Sequence, residues 1–201
     1  NQEGIGYYQT TQKDGKRCSA AKAYLVPSLD RENLTVMTDT NVNKIIFENK
    51  KAVGVECLNE AGELLTINAS KEVILCSGAF GSPQILLRSG VGPSEEILKH
   101  NIQHIHELPG LGKNLQDHLE TYVQQECKTK DTLYSYVNKL NMVRIGIQWF
   151  LNRSGPCSTS FLEAGGFCKS SPEREYPNIQ FHFFPAFVID HGLVEPDING
   201  Y

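Results

Sequence analysis

A mixed α/β chain is predicted by three features of the sequence. Short runs rich in β-branched residues alternate with turn signals between residues 34 and 67. Residues 72–76 are dominated by the apolar run Val73-Ile74-Leu75 and lead into a capped helix. From Leu133 onward, apolar side chains recur at three- and four-residue spacing.

Taken in order, the first 30 residues are polar and Gly-rich, with a basic Lys13/Lys16/Arg17 cluster, and read as a loop. Residues 20–25 form a helical turn that should end before Pro27. Strands are expected at 34–38, 42–47, 52–58 and 64–67, the second and third joined by a turn at Asn49-Lys50-Lys51 and the last two by Glu60-Ala61-Gly62-Glu63. This is the texture of an antiparallel meander. The 72–76 run lacks alternation, as expected of a strand buried on both faces. The helix after it should take Ser82 as N-cap and Pro83 as its first residue, and close at Gly90. A short helix follows, with Ser94 as N-cap, Glu95 and Glu96 in its first turn, and Lys99 and His100 in its last. Residues 122–127 suit a strand. Leu133, Tyr136, Val137, Leu140, Val143, Ile147 and Phe150 form the core-facing stripe of a helix ended by Gly155-Pro156. Further strands are expected at 161–167 and 178–185, the latter with Ile179, Phe181 and Phe183 inward. The turn-rich stretch before residue 120 marks a break between two domains, 1–120 and 121–201.

Composition removes several function classes. The chain has 201 residues, 40% hydrophobic and 21% charged, and a net charge of −4 without a basic block. Nucleic-acid binding needs clustered Lys and Arg, so no nucleic-acid partner is expected. No apolar run approaches the roughly 20 residues of a membrane-spanning helix. The six cysteines form no C-x-x-C pair, so neither a structural metal nor a disulfide framework is expected, and the thiols should be reduced and mostly buried. His100, His104 and His106 read as surface or hydrogen-bonded histidines rather than metal ligands.

One junction points to a cofactor. A buried strand ending in Ser77-Gly78-Ala79 and feeding a helix lets backbone approach a phosphate-bearing ligand, with the helix N-terminus favouring negative charge. Many strand–loop–helix junctions bind nothing, so spacing alone leaves the matter open.

Residue identity carries it further. The stretch Gly78-Ala79-Phe80-Gly81-Ser82-Pro83-Gln84-Ile85-Leu86-Leu87-Arg88-Ser89-Gly90-Val91-Gly92 resembles the second signature of the glucose–methanol–choline oxidoreductases, and Leu108-Pro109-Gly110-Leu111-Gly112-Lys113-Asn114-Leu115-Gln116-Asp117-His118 resembles the family's next hallmark. Upstream, Arg17-Cys18-Ser19-Ala20-Ala21-Lys22-Ala23-Tyr24-Leu25 looks like the stretch leading to the family's adenine-contacting Val, here Val42. Phe161-Leu162-Glu163-Ala164-Gly165-Gly166-Phe167 is similar to the choline-oxidising members.

The resemblance implies part of a Rossmann-like FAD-binding domain followed by the start of an antiparallel-sheet substrate domain. It implies FAD as cofactor, with Val42, Ser77, Gly78 and Ala79 at its site, and oxidation of an alcohol by hydride transfer to the flavin. Choline or a similar small alcohol would be the substrate and a quinone-type carrier the electron acceptor. An animal protein of this kind would be mitochondrial and associated with the inner membrane. The dinucleotide fingerprint G-x-G-x-x-G is absent, since Gly4-Ile5-Gly6-Tyr7-Tyr8-Gln9 and Gly110-Leu111-Gly112-Lys113-Asn114-Leu115 both fail at the third glycine. The family's catalytic His and its His or Asn neighbour lie toward the C-terminus, beyond Tyr201. The chain alone is therefore expected to be inactive, with no catalytic residue of its own.

A quaternary ammonium cannot donate a hydrogen bond, so its site needs negative charge and aromatic faces. Glu163 stands where choline-oxidising members place a carboxylate, and Phe161, Phe167, Phe181 and Phe183 are near it in sequence. Read without the resemblance, Glu163 is equally a solvated or salt-bridged strand residue. A relative acting on uncharged aliphatic alcohols, or a non-catalytic truncated product, are the competing readings.

Overall fold

The computed structural model describes residues 2–129, 131–194, 196 and 198–201. The chain divides into two units, Thr35–Leu119 and a second made of Asn1–Leu34 with Glu120–Tyr201. One boundary between the units falls between Leu119 and Glu120. The first 34 residues cluster with the later segment rather than with 35–119, because β1 (Gly4–Tyr7) pairs antiparallel with β9 (Ala164–Cys168).

In the unit Thr35–Leu119 the meander is built as expected. Strands β4 (Asn41–Glu48), β5 (Lys51–Leu58) and β6 (Leu64–Asn68) pair antiparallel in that order. Asn49 and Lys50 both take positive φ, +49° and +65°, which gives a two-residue hairpin the twist its strands require. Helix α1 (Gly78–Arg88) packs on β4. After it come β7 (Val91–Gly92), α2 (Ser94–Lys99) and β8 (His106–Glu107), with β7 and β8 parallel. Ile45, Cys57, Ile85, Val91 and Ile97, the buried hydrophobic side chains among the described residues, all belong to this unit.

A buried hydroxyl ties helix to sheet. Ser89 Oγ donates to the Ile85 carbonyl at 2.6 Å and accepts the Ile45 backbone N–H at 2.7 Å. Ser89→Ala would leave the Ile45 N–H buried without its partner, so a loss of about 1–3 kcal/mol in urea unfolding is expected.

Several local expectations change. Residues 34–38 and 72–76 are not strands. Val36 and Met37 are half exposed and Ile74 is 75% exposed. A strand exists only as part of a ladder, and no strand among the described residues pairs with either segment. Helix α1 begins at Gly78 rather than at Pro83, which lies inside it. In the first 34 residues, a π-helical turn at Ala21–Leu25 continues into a 3-10 turn at Val26–Ser28 that includes Pro27.

The unit formed by Asn1–Leu34 and Glu120–Tyr201 contains the hairpin β2 (Gln12–Lys13) and β3 (Lys16–Arg17), helix α3 (Lys139–Asn152), and the sheet β1–β9–β10, with β10 at Ile179–Phe183. The predicted 133–150 helix is split: a 3-10 turn at Leu133–Tyr136, then α3, whose N-cap Asn138 accepts the Asn141 N–H at 2.9 Å. Its apolar stripe is exposed rather than core, with Leu140 at 85% and Phe150 at 69%. Residues 122–127 form a single bridge, Glu126 to Gly200, in place of a strand. Both faces of β10 are exposed, so Phe181 and Phe183 are not inward. The cysteines are free, and of the six only Cys57 is buried.

Candidate functional site

The expected cofactor residues all lie in the unit Thr35–Leu119. Ser77 is the N-cap of α1, and Gly78 and Ala79 are its first two residues; all three are exposed. The first four N–H groups of a helix have no intrahelical partner and carry its positive end. Here no side chain caps them, and the Ser77 N–H is turned to Ser82 Oγ at 3.1 Å. Gly78 adopts φ +77° with no atom within 4 Å of where a Cβ would stand. Exposed, uncapped amides behind an open glycine fit the phosphate groups of a dinucleotide.

Val42 sits half buried near the start of β4, opposite Cys57. The ladder is irregular between Val42 and Lys44, which leaves Asn43 out of register. Asn43 Nδ2 donates to Glu56 Oε1 at 2.6 Å and Lys44 Nζ lies 3.3 Å from Glu56 Oε2. The Asn43 hydrogen bond, reinforced by Lys44, holds the Glu56 carboxyl below the usual carboxylate range despite the opposing effect of burial. A carboxylate with a lowered folded pKa adds stability that is complete above its unfolded value of about 4.3 and is lost as pH falls through the folded value. An acid melting series should therefore lose Tm below about pH 4, and Glu56→Gln should flatten part of that decline.

Glu163 lies in the other unit, exposed, one residue before β9. Its carbonyl accepts the Tyr8 N–H at 2.7 Å, so Tyr8 continues the β1–β9 register opposite it. Strand alternation then puts Glu163, Gly165, Phe167, Tyr8 and His182 on one face, and Ala164, Gly166, Phe181 and Phe183 on the other. The Tyr8 ring lies across Gly165, where any side chain would collide with it. Its hydroxyl donates to the Phe181 carbonyl. Tyr8 meets the Phe167 ring edge-on at 6.0 Å and the His182 ring at 5.3 Å. The Glu163 carboxylate has no hydrogen-bond or ion-pair partner among the described residues.

Of the four phenylalanines grouped by sequence, the strand register puts Phe167 on the Glu163 face and Phe181 and Phe183 on the other, while Phe161 lies outside the strands at φ +62°. The aromatic company of Glu163 is instead Tyr8, Phe167 and His182. Tyr8 carried no usable sequence signal, since it meets Glu163 only through a strand pairing spanning about 155 positions. The Gly165-Gly166 pair was the one hint that a ring crosses this strand.

Two of the histidines lie beside carboxylates. His100 Nε2 lies 3.5 Å from Glu96 and His104 Nε2 3.4 Å from Glu107. Among the described residues, no group of three or more His, Cys, Asp or Glu is placed to hold a metal ion.

Residues 1–120, more than half the chain, match the GMC oxidoreductase family model. The chain belongs to the GMC oxidoreductase family. It is 46% identical over 200 residues to the human protein named choline dehydrogenase, mitochondrial, covering 100% of this chain and 34% of that protein. It is 45% identical over 193 residues to the oxygen-dependent choline dehydrogenase of Escherichia coli K12, covering 95% of this chain and 35% of that protein. The chain thus spans about a third of the length of the curated relatives it matches. Among solved structures, an Aspergillus oryzae formate oxidase variant studied for its FAD modification superposes with a TM-score of 0.82 at 21% identity, covering 98% of this chain and 38% of that one. At that identity the likeness speaks for the fold, which is the mixed helix-and-sheet fold of FAD-binding GMC enzymes. FAD is accordingly the family cofactor, and the open α1 N-terminus is the feature of this chain that suits it.

Proposed function

We propose that this chain is part of an FAD-dependent dehydrogenase that oxidises choline to betaine aldehyde. The observation that carries the reading is identity of 45–46% across essentially the whole chain to proteins named choline dehydrogenase from a mammal and a bacterium. In the proposal, residues 1–120 form the flavin side and 121–201 the substrate side, except that the β1–β9 pairing carries the first segment, with Tyr8, onto the substrate side. Bound FAD supplies the acceptor for a hydride leaving the alcohol carbon.

The roles of the chain's own residues follow from charge and geometry. The amides of Gly78 and Ala79, behind Ser77, would hold the cofactor through its phosphates, and Val42 would lie at its adenine. Glu163 has no cation of its own among the described residues and shares a face with aromatic rings. It offers the negative charge a trimethylammonium group requires, and Tyr8 and Phe167 offer ring faces. In this proposal no residue of the chain serves as the catalytic acid or base, and the chain alone does not turn over. The mitochondrial name of the human relative supports that compartment for an animal protein. A quinone-type carrier is the proposed acceptor, although the bacterial relative is named oxygen-dependent.

The test is anaerobic flavin bleaching in the longer protein that contains this chain, with choline and with its uncharged isostere 3,3-dimethylbutan-1-ol. Bleaching by choline at far lower concentration than the isostere is expected. Equal bleaching by both would replace the choline reading with an oxidase of neutral alcohols, and no bleaching by either would remove the alcohol reading.

A further inference from the structure

Among the cavities that the cofactor and ammonium readings do not use is one beside the β2–β3 hairpin. It has a volume of about 380 Å³ and lies between the β2–β3 hairpin and the turn at 157–160, lined by Thr10, Thr11, Gln12, Gly15, Lys16, Arg17 and residues 157–160. That is within the size range of small-ligand sites. In a chain with 23 acidic and 19 basic residues, the lining contains two cations and no carboxylate.

We propose that this cavity binds a phosphate group, free or carried by a small phosphomonoester. Three features make it a built site. First, the hairpin is held against the turn: once its amide is oriented to satisfy both partners, Gln12 donates to the Ser158 carbonyl at 2.6 Å and accepts the Ser160 N–H at 3.2 Å. Second, Arg17 is the register partner of Gln12, so both side chains leave the same face of the hairpin, the face turned to 158–160. Third, donors remain unspent. Among the described residues the Arg17 guanidinium, the Lys16 ammonium and the hydroxyls of Thr10, Thr11 and Ser160 have no hydrogen-bond or ion-pair partner. Thr159 Oγ1 accepts the Phe161 N–H at 3.0 Å, which leaves its hydroxyl hydrogen free to donate. The Ser158 hydroxyl is engaged, donating to the Gly155 carbonyl at 2.7 Å.

Nearby charges do not reverse the sign. Asp14 lies in the hairpin turn, outside the lining, and is flanked by Lys13 and Lys16. Arg153, whose backbone meets Gly15, lies outside the lining. Its guanidinium stacks 4.2 Å from the Trp149 ring centre, and its Nη1 is buried without a hydrogen-bond partner. An arginine fork with several hydroxyls is the donor set that a tetrahedral oxyanion satisfies. The lining shares no residue with Ser77–Ala79 or with Glu163, and the proposal stands whether or not the substrate is choline.

The experiment is 31P NMR titration of the protein with inorganic phosphate and, separately, with glycerol 3-phosphate, at constant ionic strength balanced by chloride. Saturable line broadening is expected, weakened roughly tenfold or more in Arg17→Gln and in part restored in Arg17→Lys, as loss of a charge-assisted pair requires. Ser160→Ala, which keeps every charge, should weaken binding less, and circular dichroism checks that each variant is folded. Tighter binding of glycerol 3-phosphate would assign the site to a carried phosphate, and equal binding would assign it to the free ion. No saturable broadening with either ligand, or equal affinity in folded Arg17→Gln, would overturn the proposal.

Discussion

Replacing Glu163 by Gln in the longer enzyme is expected to lower kcat/KM for choline while leaving oxidation of the uncharged isostere 3,3-dimethylbutan-1-ol nearly unchanged. The substitution keeps shape and hydrogen-bonding capacity and removes only the charge. Two unit charges 4 Å apart interact by about 4 kcal/mol at the effective dielectric of a protein surface. Glu163 is exposed, so solvent screening reduces this to about 1–2 kcal/mol, a 5–30-fold loss for choline. Glu163→Asp, which keeps the charge but shortens its reach, should fall between. The informative quantity is the ratio of the two substrates' kcat/KM values, because a variant that only damaged folding would depress both alike. A ratio that does not move would place the ammonium elsewhere and return Glu163 to an ordinary exposed strand-end residue.

Which of these features could be read from sequence follows from the range of the interactions that produce them. The β4–β5–β6 meander was legible because β-branched runs and the Asn49-Lys50 turn are local signals, and the turn alone fixes the pairing. Residues 34–38 and 72–76 carry the same local signal, but strand identity depends on a neighbour, and none among the described residues pairs with them. The α3 stripe was legible as a helix because its period is local. Its burial was not, because that depends on what lies opposite. At the candidate site, the helix after Ser77 was legible, although it begins at Gly78, ahead of the Ser82-Pro83 cap signal, and the strand expected to lead into it at 72–76 is not formed. The surroundings of Glu163 are non-local. Sequence proximity proposed Phe181 and Phe183, and the register of β9 with β1 and β10 substituted Tyr8 and His182. Ser89 was hidden for the same reason: as a residue it is an ordinary helix end, and its importance comes from an N–H 44 positions earlier.

Gly90→Ala should produce the largest stability loss in the unit Thr35–Leu119, at least about 3 kcal/mol, and a matched substitution shows why. Gly90 is buried at φ +85°, where α1 ends and β7 begins. Its N–H donates to the Leu87 carbonyl at 3.0 Å, and its carbonyl accepts from Ile105 at 2.8 Å and His106 at 3.3 Å. An added Cβ would fall on the Gln103 carbonyl oxygen and within 2.9 Å of Ile105 Cγ1. The first contact is with backbone and cannot be relieved by a rotamer change, so the 103–106 segment must move and give up its bonds to Gly90. Gly62 has nearly the same backbone conformation, φ +77°, in the open turn before β6, with nothing within 4 Å of an added Cβ. Gly62→Ala therefore isolates the conformational part of the penalty, about 1–2 kcal/mol. For a unit of this size the difference between the two variants corresponds to a Tm gap on the order of 5–15 °C. If both variants melt alike, the left-handed backbone alone accounts for the glycine at 90, and the close packing of the α1 end against 103–106 is not what holds this unit together.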